Sequence, residues 1–149
     1  MRYGMIGYGN LGKAFAQGLA EMDFFSIHQL VIYAKSEATR ERAREDGFTT
    51  MESVKALVDH AETVILALNS KGLEELIAKG LHTRNKTVIS FLAGRTLAQL
   101  KEELGTDRIA RVIPNIAMAK GESVSSISYS ASFDEKMEVE DLFKTIGTT

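Results

Sequence analysis

Three glycines near the amino terminus, Gly7, Gly9 and Gly12, follow a G-x-G-x-x-G pattern. An apolar run precedes them and a helical pattern follows, which predicts a strand-to-helix turn. In such a turn the first glycine permits the bend, the second admits a pyrophosphate, and the third lets the helix pack on the strand. Free amides and the dipole at the start of the helix attract the phosphates. The motif therefore predicts a dinucleotide site whose phosphate turn is formed by Gly7, Tyr8, Gly9, Asn10, Leu11 and Gly12.

The same segment also resembles a nucleoside triphosphate P-loop, because Gly7 to Lys13 reads G-x-x-x-x-G-K. That motif requires Ser or Thr at the next position, where the hydroxyl binds Mg²⁺. Ala14 occupies this position, so we discount an NTPase. A glycine-rich turn that binds nothing remains as the plainer alternative.

Short apolar runs alternate with helical patterns along the chain. Strands are predicted at 3–6, 30–34, 64–68, 87–91, 109–113 and 124–129. Helical apolar stripes are formed by Leu11, Ala14, Phe15, Gly18 and Leu19, by Val54, Leu57, Val58 and Ala61, by Leu97, Leu100 and Leu104, and by Val139, Leu142, Phe143 and Ile146. Several strands lack period-two alternation, which is typical of a parallel sheet covered on both faces. The pattern predicts a single α/β domain over 1–149 with a doubly wound, mostly parallel sheet of the Rossmann type.

Composition excludes several other functions. With no cysteine, the chain has no disulfide, thiolate metal site or cysteine nucleophile. A net charge of −2 gives no reason to expect nucleic acid or a membrane surface as a partner. The histidines His28, His60 and His82 show no metal-ligand spacing, so no metal is expected. The glycine motif begins too close to Met1 for a signal peptide, and we expect a cytoplasmic protein.

The end of the second strand indicates which nicotinamide cofactor binds. NAD-binding domains place an acidic residue there, about 20 residues after the glycines, to accept a hydrogen bond from the ribose 2′-hydroxyl. Here Lys35 and Ser36 follow the strand, and Arg40 lies one helical turn beyond Ser36. These donors suit the 2′-phosphate of NADP(H) and favour it over NAD(H). In the alternative, Lys35 and Arg40 are solvated charges and Glu37 reaches back to the ribose.

Three segments in order resemble the amino-terminal domain of pyrroline-5-carboxylate reductase. The first is the phosphate turn at 5–12. The second is the S-x-x-A-G segment at 90–94, and the third is the R-x-x-P-N segment at 111–115, followed by Gly121. The resemblance covers nearly the whole chain, and the last two segments are more specific than the first.

The resemblance implies that NADPH delivers hydride to the C=N bond of a cyclic imine or imino acid in proline synthesis. It places Ala67, Leu68, Asn69, Ala93, Gly94 and Asn115 near the nicotinamide. It identifies no catalytic residue in this chain. Family members continue into a helical domain that forms a homodimer and supplies most substrate contacts, and this domain is absent from residues 1–149. We therefore expect the chain alone to lack the substrate half of the site.

Two positions beside the expected substrate depart from the family pattern. Asn69-Ser70 replaces Lys-Pro, and Ile116-Ala117 replaces Thr-Pro. These departures leave two alternatives open. One is a reductase-like NADP-binding module without turnover, and the other is a different NADP oxidoreductase such as a deazaflavin-dependent reductase.

Overall fold

The computed structural model describes residues 2–21, 29–92, 95–106, 108–113 and 126–129. Its seven strands form one sheet in the order β3-β2-β1-β4-β5-β6-β7. The strands are β1 (Tyr3–Ile6), β2 (Leu30–Tyr33), β3 (Thr49–Thr50), β4 (Thr63–Leu66), β5 (Thr87–Ser90), β6 (Ile109–Ile113) and β7 (Ser126–Tyr129). The first six strands are parallel, and β7 pairs with β6 in the antiparallel direction. Strand order reverses between β1 and β4, the position where ligands bind in open α/β sheets.

Within the described residues, five helices connect these strands: α1 (Asn10–Ala20), α2 (Glu37–Glu45), α3 (Val54–His60), α4 (Ser70–Ala78) and α5 (Leu97–Leu104). Local signals fix several of their ends. The Thr96 hydroxyl accepts from the Gln99 amide while the Gln99 side chain accepts from the Thr96 amide, a capping box that starts α5. Helix α5 ends at Gly105, whose φ of 71° is readily adopted by glycine.

Apolar side chains fill a layer on each face of the sheet. Phe15 and Leu19 of α1 pack on one face with strand residues such as Ile65. Leu73 of α4 packs on the opposite face, with Val64 among its cluster. Neighbouring residues of one strand therefore enter different cores, which explains the continuous apolar runs in the sequence.

The predicted fold class is confirmed, and the differences lie at element ends and in three elements that no predicted run or stripe covers, α2, β3 and α4. Strands β2, β4 and β5 end one or two residues before the predicted limits. Strand β3 was not predicted, because two threonines provide no apolar run. The predicted final helix at 139–147 and residues 124–125 lie outside the described residues. In the part of the chain that is described, no helix has the length and apolar character needed to cross a membrane.

Candidate dinucleotide-binding site

The turn between β1 and α1 has a geometry that requires glycine at its first position. Gly7 has a φ of 109°, in the region that favours glycine, and its amide donates to the Tyr33 carbonyl of β2 at 2.7 Å. A Cβ at Gly7 would collide with the Ala67 carbonyl, which lies just after β4. The bend is therefore held against β2 on one side and against the segment just after β4 on the other.

The other two glycines of the motif differ in their surroundings. A Cβ at Gly12 would lie 2.8 Å from the Gly7 carbonyl oxygen and 3.3 Å from the Ala67 Cβ, so α1 approaches the sheet closely there. A Cβ at Gly9 would meet no described atom within 4 Å. The space beside Gly9 is open, as the approach of a pyrophosphate requires.

Helix α1 begins beside this open space with its amides available. Gly9 is its N-cap, no side chain caps the described first turn, and that turn carries no acidic residue. The first amides of a helix have no partner within the helix, and its dipole favours an anion there. Asn10 is exposed and Leu11 is half-buried at this end. The arrangement can hold phosphate oxygens through backbone donors.

Tyr8 extends from the turn into the core. Only 4% of the residue is exposed, and its ring meets Phe48 edge-on at 6.1 Å. Its hydroxyl donates to the Asp46 carboxylate at 2.6 Å. Burial, followed by the hydrogen bond to Asp46, raises the pKa of Tyr8 above its ordinary value. The phenol stays neutral and anchors the turn to the end of α2.

A cavity of about 450 Å³ opens at the carboxyl ends of β1, β2 and β4. Its lining comes from the glycine turn, from the β2–α2 connection and from α4: Ile6, Gly7, Tyr8, Gly9, Tyr33, Ala34, Lys35, Ser36, Thr39, Arg42, Leu68, Gly72, Glu75, Leu76 and Lys79. This volume lies within the range of small-molecule and cofactor sites. The cavity joins six of the predicted cofactor residues: Gly7, Tyr8, Gly9, Lys35, Ser36 and Leu68.

The β2–α2 connection presents a chain of polar groups to the cavity. Ser36 is the N-cap of α2, and its hydroxyl accepts from the Thr39 amide at 3.1 Å. The Thr39 hydroxyl accepts from the Ser36 hydroxyl at 2.8 Å and from the Arg42 guanidinium at 3.1 Å. Lys35 stands next to this group with 81% of its side chain exposed. The β2–α2 connection and α2 together therefore place the Lys35 ammonium, two hydroxyls and the Arg42 guanidinium on one wall of the cavity, called the β2–α2 wall.

Arg40 does not line the cavity, contrary to the sequence-based expectation that it faces the site. Its guanidinium donates to the Ala34 carbonyl at 2.6 Å and pairs with Glu37 at 2.8 Å. It also lies over the Tyr33 ring, 5.8 Å from the centroid. Arg40 thus fixes the end of β2, and Arg42 supplies the guanidinium that faces the cavity. Glu37 is likewise engaged by Arg40 and Arg44, which lower its pKa through hydrogen bonds.

Helix α4 forms the opposite wall of the cavity. Asn69 precedes it as N-cap, and its side-chain oxygen accepts from the Gly72 amide at 2.8 Å. Glu75 reaches across to Lys35, with 3.1 Å between the carboxylate Oε2 and the ammonium Nζ. The hydrogen bond from Lys35 lowers the pKa of Glu75. This wall therefore adds the acidic group Glu75 to a cavity whose other charged groups are basic.

The remaining predicted cofactor residues either lie next to the cavity or lie outside the described residues. Asn10, Leu11 and Gly12 form the first turn of α1, next to the lining. Ala67 and Asn69 flank Leu68, and the Ala67 amide donates to the Ile6 carbonyl at 2.9 Å. Ala93, Gly94 and Asn115 lie outside the described residues.

Sequence reasoning missed four polar residues of this cavity: Thr39, Arg42, Glu75 and Lys79. For Thr39 and Arg42 a local signal exists, because they lie three and six residues after the N-cap Ser36. No local signal identifies Glu75 and Lys79, since they lie far along the sequence from the β2–α2 connection and the tertiary fold brings them to the cavity, as the Lys35–Glu75 separation of 40 residues shows.

The sheet order, the three glycine geometries and the cavity at the switch point define a Rossmann-type dinucleotide-binding domain. Residues 2–94 match the sequence model of a family described as NADP oxidoreductase, coenzyme F420-dependent. The match spans more than half of the chain, and the protein belongs to this family. NADP, the cofactor in the family's description, is also the cofactor that the sequence favours.

Individual relatives confirm the predicted resemblance. Pyrroline-5-carboxylate reductase of Aquifex aeolicus is 30% identical over 151 residues, covering 99% of this chain and 56% of the relative. The structure of 1-pyrroline-5-carboxylate reductase from Streptococcus pyogenes matches with a TM-score of 0.87 and 28% identity, over 100% of this chain and 57% of that one. The Plasmodium falciparum pyrroline carboxylate reductase structure with NADP bound has the same fold, with a TM-score of 0.81 at 23% identity over 99% and 55%. The chain thus spans little more than half the length of these relatives.

Proposed function

We propose that this chain binds NADP(H) as the cofactor domain of an oxidoreductase of the pyrroline-5-carboxylate reductase type. The observation that carries the proposal is the wall formed by Lys35, Ser36 and Arg42, where an NAD-binding domain would have an acidic residue. The resemblance over nearly the whole chain supports the same assignment. We also propose that residues 1–149 form a single domain.

Each part of the cofactor has a matching part of the site. The pyrophosphate would lie beside Gly9, against the first-turn amides of Asn10, Leu11 and Gly12. The adenosine would enter the cavity between the β2–α2 connection and α4. Its 2′-phosphate would accept from Lys35 and Ser36, with the Arg42 guanidinium within the same hydrogen-bonded group.

The nicotinamide would lie at the carboxyl ends of β4, β5 and β6. We propose Ala67, Leu68, Asn69, Ala93, Gly94 and Asn115 as its surroundings, by resemblance. The side-chain oxygen of Asn69 caps α4, so its contribution to the nicotinamide would come through its side-chain NH2 or its backbone.

The reaction proposed for the whole protein is the reduction of a cyclic imine. NADPH, when bound, supplies the hydride to the imine carbon, and the imine nitrogen gains a proton. This chain's residues hold and orient the cofactor and shield one side of it. No side chain of the described cavity is assigned as the proton donor.

A paired titration tests the cofactor proposal. The purified chain is titrated with NADPH and with NADH, alongside the variant Lys35→Ala. We expect the unmodified chain to prefer NADPH, and Lys35→Ala to weaken NADPH binding roughly ten- to hundredfold, since a charge-assisted hydrogen bond contributes about 1.5–3 kcal/mol. NADH binding should change little. Equal losses for both cofactors would overturn the role of Lys35.

The family description favours a second candidate substrate, coenzyme F420, which is a deazaflavin. In that reaction hydride would pass between NADP(H) and the deazaflavin instead of an imine. Incubating the protein with NADPH and either a five-membered cyclic imino acid or oxidised F420 separates the two. Loss of NADPH with formation of the saturated amino acid supports the first, and loss of the oxidised deazaflavin absorbance supports the second.

If neither substrate is turned over although NADPH binds, the alternative of a non-catalytic NADP-binding module gains support. Three further expectations remain predictions: a cytoplasmic location, a homodimer in a longer form of the protein, and no binding of nucleic acid. Sedimentation of the chain and of any longer form would test the second of these.

A further inference from the structure

Glu75 carries a charge opposite to the rest of the candidate 2′-phosphate site. Among the described lining residues it is the only carboxylate, whereas Lys35, Arg42 and Lys79 are basic. Its neighbour Glu74 pairs with Arg95 instead and does not line the cavity. A cavity that receives an additional phosphate would not need an acidic residue at this position.

The partner of Glu75 is the lysine to which the 2′-phosphate is assigned. The two side chains meet across the cavity at 3.1 Å, although 40 residues separate them in the sequence. Forty per cent of the Glu75 side chain is exposed, so the pair is accessible to a ligand and can be broken without opening the core. Ion pairs this exposed are weak and can be exchanged for a stronger partner.

NADP(H) and NAD(H) place different demands on this pair. A phosphate monoester carries a charge of about −1.5 to −2 near neutral pH, so it competes with Glu75 for Lys35 and is repelled by the Glu75 carboxylate. A ribose 2′-hydroxyl does neither. The presence of the Lys35–Glu75 pair therefore lowers the affinity for the phosphorylated cofactor only, because that cofactor alone must break the pair.

We propose that Glu75 is a specificity-determining residue that reduces the preference of this site for NADP(H), by acting as the counterion of Lys35 in the free protein. The inference rests on the proposed function, because it requires the 2′-phosphate to bind at Lys35. Under this proposal, the cofactor preference depends on the balance between the donors on the β2–α2 connection and the Glu75 carboxylate on α4.

The test titrates Glu75→Gln and the unmodified chain with NADPH, NADH, 2′,5′-ADP and 5′-AMP at low ionic strength. The two adenosine phosphates probe the adenosine cavity without the nicotinamide part of the site. We expect Glu75→Gln to bind NADPH and 2′,5′-ADP roughly two- to fivefold more tightly, the range expected for an exposed ion pair. NADH and 5′-AMP should be unaffected, and the gain should shrink at high salt because screening weakens exposed charges.

The matched control is Glu74→Gln, which removes the adjacent carboxylate on the same helix. It should leave all four affinities unchanged. Combining Glu75→Gln with Lys35→Ala supplies a second readout, because the part of the gain that comes from releasing Lys35 should be lost when Lys35 is absent. Thermal unfolding of each variant establishes that all of them fold.

The outcomes separate this inference from the proposed function. If Lys35→Ala selectively weakens NADPH but Glu75→Gln leaves the NADPH/NADH ratio unchanged or lowers it, the proposed function stands and the role of Glu75 is overturned. If neither the unmodified chain nor Glu75→Gln prefers the 2′-phosphorylated ligands, both are overturned.

Discussion

Gly7 and Gly9 lie two residues apart in one turn, but their surroundings differ. Gly7 needs glycine for the conformation of the backbone, because its φ is 109° and the Ala67 carbonyl occupies the place of a Cβ. Gly9 has a φ of −77°, which any residue adopts, and open space where a Cβ would lie. The fold therefore requires glycine at position 7, whereas the open space beside Gly9 fits the approach of a pyrophosphate.

This contrast predicts different effects of the same substitution. We expect Gly7→Ala to lower the free energy of unfolding by about 1–3 kcal/mol or more, because it adds backbone strain and a collision. Gly9→Ala should cost less stability, on the order of a few tenths of a kcal/mol because alanine is a poorer N-cap than glycine, but weaken NADPH binding by roughly tenfold or more, equivalent to about 1.4 kcal/mol. Denaturant unfolding and NADPH titration of both variants check this. Intact NADPH binding by Gly9→Ala would contradict a pyrophosphate position beside Gly9.

At the scale of the element, α2 combines a structural cap with the candidate phosphate wall. Ser36 caps the helix through the Thr39 amide and also lines the cavity. Asp is about as good an N-cap as Ser, so Ser36→Asp should preserve stability. Its carboxylate would repel a 2′-phosphate and could accept from a ribose 2′-hydroxyl. We expect NADPH affinity to fall at least tenfold, about 1.4 kcal/mol, while NADH affinity holds or rises.

Ser53→Asp is the matched control for this substitution. Ser53 caps α3 in the same way, accepting from the Ala56 amide at 3.1 Å, and does not line the candidate cofactor cavity. Ser53→Asp should therefore change neither cofactor affinity nor stability. A similar fall in NADPH affinity for both variants would point to net charge instead of a local effect at Ser36.

The same elements show how far the sequence predicts the site. The glycine turn and the donors Lys35 and Ser36 were identified because each is a local pattern at a strand end. Helical spacing indicates Arg40 as a further donor that could face the site, but its guanidinium is used by the Ala34 carbonyl and Glu37. Which partner a long side chain takes depends on the tertiary positions of nearby acceptors, and periodicity does not contain that information.

Weak or distant signals account for the other omissions. Helix α2 buries only Ala43, so it has almost no apolar stripe to detect. Strand β3 is two residues long and polar, and it exists because it pairs with β2. Glu75 reaches the cavity because the sheet places β4, which precedes α4, two positions from β2 in the order β2-β1-β4. This order is a property of the whole sheet and not of any local pattern.

At the scale of the whole molecule, the site joins segments that fold around the centre of one sheet. The cavity is lined by the ends of β1 and β2, the glycine turn, the β2–α2 connection with the start of α2, the segment after β4, and α4. A ligand that binds here contacts segments up to 73 residues apart in the sequence, from Ile6 to Lys79. Binding of this ligand should therefore stabilise all of these segments together against unfolding.

This coupling predicts a cofactor-dependent shift of thermal unfolding. A ligand at about 100 times its Kd stabilises the native state by roughly 2.7 kcal/mol, and each kcal/mol raises the Tm of a domain of this size by about 2–4 °C. NADPH at that concentration should raise the Tm by roughly 5–10 °C. NADH at the same concentration, with an affinity about a hundredfold lower, should raise it by about 1–2 °C.

The variants connect this shift to the site. Lys35→Ala should bring the NADPH shift close to the NADH shift, while the Tm without ligand stays the same because Lys35 is largely exposed. Gly9→Ala should reduce both shifts, since both cofactors carry the pyrophosphate. Equal shifts with NADPH and NADH in the unmodified chain would contradict the assignment of the β2–α2 wall to the 2′-phosphate. A scan with 2′,5′-ADP would then show whether the adenosine cavity or the nicotinamide side determines binding.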